Sequence, residues 1–287
     1  MRFHFPVRLS SRVIFCAGIL AALAGCMNKP AVESRTGTSP SPASKTAHTE
    51  PVVARDILIR MARFLAATPR FSVNVTGNYD AVQATGQQIE FGEKLSINVS
   101  RPKGLRVEAV ASDGNRQLLF FDGQTLTTYS PASNVYAQAA KPGDIDTAVT
   151  YFLNDLQMRL PLAALLLSRF PDEIGKRSQT VDYVEKTAFY GAPAHHLAGR
   201  TEALDYEIWV AEGAQPLPQR IVLTYRDAEG QPAFRAQFSG WNLAPQERVD
   251  YTFTPPADAR QIAFAAQLPQ QTALTLHKTA KSKGGQP

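Results

Sequence analysis

The sequence predicts an α+β protein in which about eleven antiparallel strands and three helices form one body. Apolar and polar residues alternate with a period of two over many short segments, as in strands that bury one face. Turn-forming residues such as Asp122-Gly123 and Pro131–Asn134 separate neighbouring segments, which is typical of an antiparallel meander. A helical period occurs in only three places, and the strands are too evenly spaced to divide into two domains.

Residues 1–25 predict a signal peptide that precedes the folded body. The basic segment MRFHFPVRLSSR is followed by VIFCAGILAAL, an apolar run of 11 residues that is too short to span a bilayer. The next residues, Leu23-Ala24-Gly25-Cys26, are identified as the lipobox of bacterial lipoproteins. This resemblance implies that Cys26 is lipidated and becomes the first residue of the mature chain. An ordinary signal peptide with an incidental cysteine is the alternative.

The cysteines and the residue after Cys26 predict the compartment. Cys16 lies in the apolar run, so Cys26 is the only cysteine left after cleavage, and no intrachain disulfide or cysteine-ligated metal is expected. Several acyl chains on one residue give stable membrane attachment, since a single chain binds only marginally. Met27 follows Cys26, and by resemblance to enterobacterial sorting a residue other than Asp there directs a lipoprotein to the outer membrane. We therefore expect a lipid-anchored outer-membrane protein that faces the periplasm.

The two ends of the mature chain differ in composition from the body. Residues 26–50 are rich in Ser, Thr, Pro and Ala and predict a flexible tether, while residues 267–287 predict a disordered tail. The net charge of +5 also comes from the ends, because residues 1–25 and the stretch from Leu268 each carry three Lys or Arg and no acid. Removing these six bases leaves 24 against 25 acids in the rest of the chain, and the body, residues 51–266, holds 21 bases against 23 acids and is nearly neutral. No nucleic-acid partner is expected.

Three segments of the body predict helices. The first begins at Pro51, since proline is tolerated in a first turn, and ends near Thr68-Pro69. The second covers Asp144–Met158, where an aspartate at the start can cap the first turn. The third, Pro161–Phe170, is apolar almost all round, so it must be buried or packed on two sides.

The strands follow from the alternation of apolar and polar residues. They are predicted near residues 71–79, 95–99, 105–108, 118–121, 125–129, from 135 onward, and at 180–186, 194–199, 203–210, 218–225, 234–241 and 251–253. The segment LLFF points Leu118 and Phe120 to one face and Leu119 and Phe121 to the other. One face of so long a sheet must pack on a second layer, which only the helices can supply. Such an arrangement can enclose an apolar space that suits an acyl chain, although a core filled by the same residues fits the pattern equally.

No motif in the sequence predicts catalysis, a metal or a cofactor. His195 and His196 are adjacent in one predicted strand and would point to opposite faces, so they cannot chelate one ion. Neither a G-x-S-x-G nucleophile turn nor a glycine-rich phosphate loop is present. Asp122 precedes Gly123 between two strands, which indicates a tight hairpin turn rather than a catalytic acid. We expect a protein that is not an enzyme, and a hydrolase is a minor alternative.

Three stretches in order carry a resemblance to a known family: SRPKGLRVE, FFDGQTLTTYSPASNVYA and VDYTFTPPADA, with GAPAHHL and IWVAEGAQPLPQRIVLTY between the last two. They resemble the LolA/LolB-like superfamily of lipoprotein carriers and receptors. Within it the chain is most similar to domain-of-unknown-function family 2092, predicted periplasmic proteins. The resemblance implies an antiparallel incomplete β-barrel, a half-barrel, of about eleven strands with helices closing the concave side. It also implies a hydrophobic cavity between sheet and helices that accepts acyl chains.

The resemblance also implies a set of site residues. Arg101-Pro102 matches an Arg-Pro pair that in the carrier helps to hold the helical lid, while an edge-strand arginine paired with a local acid is the alternative. The candidates for the cavity wall are Phe71, Val73, Leu95, Ile97, Leu105, Phe120, Phe152 and Leu165. The expected ligand is a lipid or the acyl chains of another lipoprotein. The alternative is a sensing module with a packed cavity that binds an envelope protein.

Overall fold

The computed structural model describes residues 51–244 and 249–267. The predicted signal peptide, the lipidated Cys26, the tether and the tail after Gln267 lie outside the described residues. No helix in the described part of the chain is long and apolar enough to cross a membrane.

Twelve strands of the described residues form one open sheet. They are β1 (Arg70–Val82), β2 (Gln88–Ser100), β3 (Gly104–Ala111), β4 (Arg116–Phe121), β5 (Thr125–Ser130), β6 (Val135–Ala140), β7 (Thr180–Thr187), β8 (Ala194–Arg200), β9 (Leu204–Ala211), β10 (Pro218–Tyr225), β11 (Ala233–Asn242) and β12 (Arg260–Ile262). Their order in the sheet is β12-β6-β5-β4-β3-β2-β1-β11-β10-β9-β8-β7. All neighbours are antiparallel except β12 and β6, which are parallel. Since β12 and β7 do not pair, the barrel stays open.

The helices cover one face of this sheet, which we call the inner face. They are α1 (Pro51–Ala67), α2 (Ile145–Asn154), α3 (Phe170–Arg177) and a 3-10 turn at Ala163–Leu166. Helix α1 buries Leu58, Met61 and Leu65 in the same core cluster as the inner-face residues of β1, β2, β3 and β8–β11. The open sheet with helices on one face confirms the predicted α+β half-barrel class, with twelve strands rather than eleven.

The third predicted helix, Pro161–Phe170, is wrong. Leu162 has a left-handed backbone with φ of 60° and Leu167 is extended, so only the 3-10 turn forms between them. Apolar character here reflects burial rather than a helical period, since Leu165, Leu166 and Leu167 are all buried. Helix α3 follows and was not predicted, because its eight mostly polar residues show too short an apolar period.

The predicted strand at residues 251–253 is also wrong. Instead Phe253 packs on the outer face against Phe120, Tyr129 and Tyr136, with ring centroids 5.4, 5.2 and 5.3 Å away. Tyr251 lies over Gly104, where a Cβ atom would come within 2.9 Å of its ring. The alternating aromatic residues therefore pack on the outer face of the sheet instead of adding a strand to it. The last strand of the described chain, β12, follows seven residues later.

Removing the Phe253 ring should loosen this outer-face segment. We expect Phe253→Ala to lower the free energy of unfolding by about 1–3 kcal/mol, because three aromatic contacts are lost from a partly buried position. Phe189→Ala is the control, since Phe189 is 83% exposed and should cost little. Urea unfolding measures both, and equal effects of the two variants would contradict the docking role of Phe253.

Candidate functional site

The helices cover only part of the inner face. Along β2 the inner-face residues change from buried to exposed toward the β1–β2 hairpin. Leu95 and Ile97 are buried, Glu93 is half-buried, and Phe91 and Ile89 are 39% and 38% exposed. The row of apolar side chains on the inner face of β2 therefore extends beyond the part of the sheet that the helices cover.

Four exposed apolar residues and the half-buried Tyr79 form a surface beyond the helices that we call the open end: Tyr79, Ile89, Phe91, Met158 and Tyr225. The Tyr79 and Phe91 rings stack with centroids 5.8 Å apart, as expected from their pairing between β1 and β2. Tyr225 continues the inner-face alternation of β10, and Met158 belongs to the segment after α2. The next residue in that segment, Arg159, places its guanidinium 5.7 Å from the Tyr79 ring centroid. The segment thus reaches the open end.

Glu93 lies at the border between the covered part and the open end. Its side chain extends over Gly77, where a Cβ atom would come within 3.2 Å of Glu93 Cγ and 3.3 Å of Oε1. Glu93 Oε1 is buried and has no hydrogen-bond partner. Burial raises the pKa of the Glu93 carboxyl group, and the positive charge of Arg159 opposes that rise. A carboxyl group with an unused acceptor thus lies beside an exposed apolar surface.

The raised pKa of Glu93 predicts a pH-dependent change in stability. A carboxyl group whose pKa is higher in the folded than in the unfolded protein contributes stability at low pH, which is lost as pH rises through the folded pKa. Glu93→Gln should therefore raise the thermal midpoint at pH 7 by a few degrees, and the gain should disappear below about pH 4, where the carboxyl group is protonated in both states. Thermal unfolding across pH measures this, and a lower midpoint for the variant at pH 7 would contradict it.

Most candidate wall residues lie together in the covered part. Phe71, Val73, Leu95, Ile97, Leu105, Phe152 and Leu165 belong to one continuous cluster of buried residues. Phe120 is separate from them, because it pairs with Arg106 on the outer face and contacts Phe253. It therefore does not face the space between sheet and helices.

Two grooves on the described surface are lined mainly by polar and charged residue types. One, of about 430 Å³, is lined by residues of β7–β10 that include Asp182, Arg200 and Asp205. The other, of about 350 Å³, lies along α2 and includes Lys141 and Asp144. Neither groove is lined by any of the candidate wall residues, seven of which belong to the buried cluster.

Arg101 lies at the opposite end of the inner face from the open end. Its Nη1 atom donates a hydrogen bond of 2.8 Å to the carbonyl oxygen of Leu166, so Arg101 ties the β2–β3 turn to the 3-10 turn. Its Nε and Nη2 atoms are buried without a hydrogen-bond partner. Burial lowers the pKa of Arg101, and Asp146 acts against this electrostatically. The hydrogen bond goes to a backbone carbonyl rather than to an acid.

His195 and His196 lie on opposite faces of β8, as predicted. The Nδ1 atom of His195 is 3.3 Å from the Tyr183 hydroxyl group, whereas His196 stacks on Trp209 with ring centroids 3.9 Å apart. Within residues 51–244 and 249–267, no three His, Cys, Asp or Glu side chains gather as a metal site.

Sequence reasoning missed the open end. The alternation in β2 begins at Ile89 and Phe91, before Leu95, and Glu93 occupies one of its inner-face positions. A carboxylate within an apolar alternation was the available signal. No sequence pattern indicated that Met158 and Tyr225 are exposed, because their exposure depends on how distant parts of the chain pack.

The fold and its partly covered apolar face define a half-barrel protein of the α+β class. The chain belongs to the family of predicted periplasmic proteins called DUF2092, whose model matches residues 54–265. This confirms the family that the sequence motifs indicated. No curated protein matches the chain.

Several solved structures are similar in fold. An uncharacterized conserved protein from Thermus thermophilus is 12% identical with a TM-score of 0.42, covering 74% of this chain and 99% of that one. The Mycobacterium tuberculosis lipoprotein LppX is 10% identical with a TM-score of 0.40, covering 68% and 97%. A LolA superfamily protein from Nitrosomonas europaea is 10% identical with a TM-score of 0.33, covering 68% and 94%. At these values the likeness concerns the fold alone.

Proposed function

We propose that this protein is a lipid-anchored outer-membrane lipoprotein that faces the periplasm and binds a hydrophobic ligand at the open end. The single observation that carries the proposal is the apolar surface that the described helices leave uncovered on the inner face, where Phe91, Ile89, Met158 and Tyr225 are each about 40% exposed. Large exposed apolar patches on a folded body mark sites of interaction with proteins, membranes or ligands. Membership of a predicted periplasmic family supports the compartment.

Binding at the open end requires no covalent chemistry. An acyl chain lying on Phe91 and Tyr79 would remove methylene groups from water, at about 0.8 kcal/mol for each buried group. For the ligand to enter between the helices and the sheet, the 3-10 turn would have to move away from the sheet. The hydrogen bond from Arg101 to Leu166 opposes that movement, so Arg101 would control how far the ligand enters and when it leaves.

Native mass spectrometry tests the binding of a hydrophobic ligand. The buried cluster of the described residues runs from Ala54 to Phe264, so a chain made from residue 27 retains all of it. Purified without detergent, this chain should carry a co-purified lipid or take up dodecanol. A chain that neither carries a lipid nor takes one up would contradict the proposal.

Lipid attachment is tested at Cys26. Cys26→Ser should abolish incorporation of an alkyne-tagged fatty acid and stable membrane attachment, because the thiol is the atom expected to carry the acyl group. Cys16→Ser is the matched control and should stay labelled, since Cys16 lies in the predicted apolar run of the signal peptide. Labelling followed by membrane fractionation measures both. A labelled, membrane-bound Cys26→Ser protein would contradict the lipid anchor.

The second candidate function is a sensing module that binds an envelope protein. The observation in its favour is the filled interior, where the candidates Phe71, Leu105 and Leu165 pack in one buried cluster. Chemical cross-linking in the cell separates the two functions. A specific envelope protein cross-linked to a chain that binds no lipid would favour the sensing module.

A further inference from the structure

We propose that the ligand of the open end carries a primary ammonium head group, which the Glu93 carboxylate binds while the hydrocarbon chain lies on Phe91 and Tyr79. The proposal rests on the proposed function and adds the chemical class of the head group. The ligand would be a long-chain amine or a lipid with a free amino group.

The strand register places only small residues beside Glu93. On the inner face its neighbours across the sheet are Ala111 in β3, Gly77 in β1 and, beyond Gly77, Ala236 in β11. Glycine and alanine have the smallest side chains, so the neighbouring side chains project little above the sheet around the carboxyl group. The Glu93 side chain lies over Gly77, which has no Cβ atom that would crowd it.

The next position along the strands is aromatic and apolar. Phe91 pairs with Tyr79, and Tyr79 pairs with Phe234. One further step toward the hairpin pairs Ile89 with Ala81. A carboxyl group is thus followed by an apolar surface that extends toward solvent, which matches a ligand with a polar head at one end and a chain at the other.

The unused acceptor of Glu93 favours a head group that donates hydrogen bonds. A buried carboxylate oxygen without a partner is unfavourable, and a primary ammonium group can satisfy it with both a charge and a hydrogen bond. The titratable groups beside Glu93 include Arg159, whose positive charge opposes the rise of the Glu93 pKa, and Tyr79, the next inner-face residue of β1 after Gly77. The Arg159 guanidinium lies over the Tyr79 ring, and its positive charge acts on Glu93. Glu93 Oε1 itself has no hydrogen-bond partner among the described residues.

A head-group series tests the proposal. The chain from residue 27 is loaded with the neutral probe N-phenyl-1-naphthylamine at pH 7, and the probe is displaced by dodecylamine, dodecanol or dodecanoate. Dodecylamine should displace it at a concentration at least tenfold below that of dodecanol. Glu93→Gln should remove this preference. The matched control is Glu90→Gln, because Glu90 lies on the outer face, hydrogen-bonded to Asn78, and should keep the preference.

The outcomes separate the inference from the proposed function. Equal displacement by dodecylamine and dodecanol, or stronger displacement by dodecanoate, would overturn the ammonium head group and leave hydrophobic binding intact. No displacement by any of the three compounds would overturn hydrophobic binding itself. The comparison of head groups on the unmodified chain does not depend on any variant being folded.

Discussion

Phe91→Glu is expected to weaken the binding of dodecanol at least tenfold, which corresponds to about 1.4 kcal/mol. Phe91 is exposed at the open end and stacks on Tyr79, so the substitution removes the largest apolar contact and places a charge on the surface that would receive the chain. Full burial of one aromatic side chain, here by the ligand, would be worth about 1.5–3 kcal/mol of apolar transfer. The displacement assay measures the change.

The control for Phe91→Glu is Phe189→Glu. Phe189 is also an exposed aromatic residue, but it lies in the β7–β8 loop and contacts Tyr190 rather than the open end. Its substitution should leave dodecanol binding within twofold of the unmodified chain. A similar loss for both variants, or no loss for Phe91→Glu, would remove the open end as the binding surface.

Gly199→Ala is expected to lower the free energy of unfolding by about 2–4 kcal/mol, because overpacking a filled core displaces side chains or backbone. A Cβ atom at Gly199 would overlap the Tyr206 ring. That ring is fixed, since its hydroxyl group is buried and lies 2.7 Å from the Ser178 hydroxyl group. Arg55 in α1 donates a hydrogen bond of 2.9 Å to the Ser178 carbonyl oxygen, so movement of Tyr206 would disturb the contact between α1 and the chain after α3.

Gly92→Ala is the matched control for Gly199→Ala. Gly92 is also a strand glycine, but a Cβ atom there meets nothing closer than Asn78 Nδ2 at 3.7 Å, an ordinary contact. We expect this variant to unfold within about 0.5 kcal/mol of the unmodified protein. Urea unfolding measures both variants. Equal stability of Gly199→Ala and Gly92→Ala would contradict the close packing of Gly199 on Tyr206.

Local patterns predicted most of the fold because they depend on near neighbours. Helix α1 and nearly all strands follow from apolar periodicity. Asp122 forms the predicted turn, since its Oδ1 accepts hydrogen bonds from the backbone N–H groups of Gln124 and Thr125 at 2.9 and 2.8 Å. These interactions span two or three residues and are visible in a short window of sequence.

The face assignment of Phe120 shows where local reasoning ends. Alternation correctly separates Phe120 from Phe121, but it does not say which of them faces the helices. Both sides of β4 are covered, by the helical layer on the inner face and by Phe253 on the outer face. Both faces therefore read as apolar, and only contacts between residues far apart in the chain distinguish them.

The open end could not be predicted for a similar reason. Whether Phe91 is buried like Leu95 or exposed depends on where α2 ends and how the segment through Arg159 crosses the sheet. No sequence pattern near Phe91 specifies that. Most candidate residues predicted from the sequence therefore lie in the core that the helices cover. The exposed part of the same face could be identified only from the structure.

Photo-affinity mapping tests the central claim most directly. The chain from residue 27 is irradiated with a dodecyl probe that carries a terminal diazirine, and the modified peptides are identified by mass spectrometry. We predict adducts within residues 79–93, 155–162 and 223–234, which border the open end, and their loss in Phe91→Glu. Adducts confined to residues 180–187 or 251–264, or the same labelling in Phe91→Glu, would contradict the claim that a hydrophobic ligand binds at the open end.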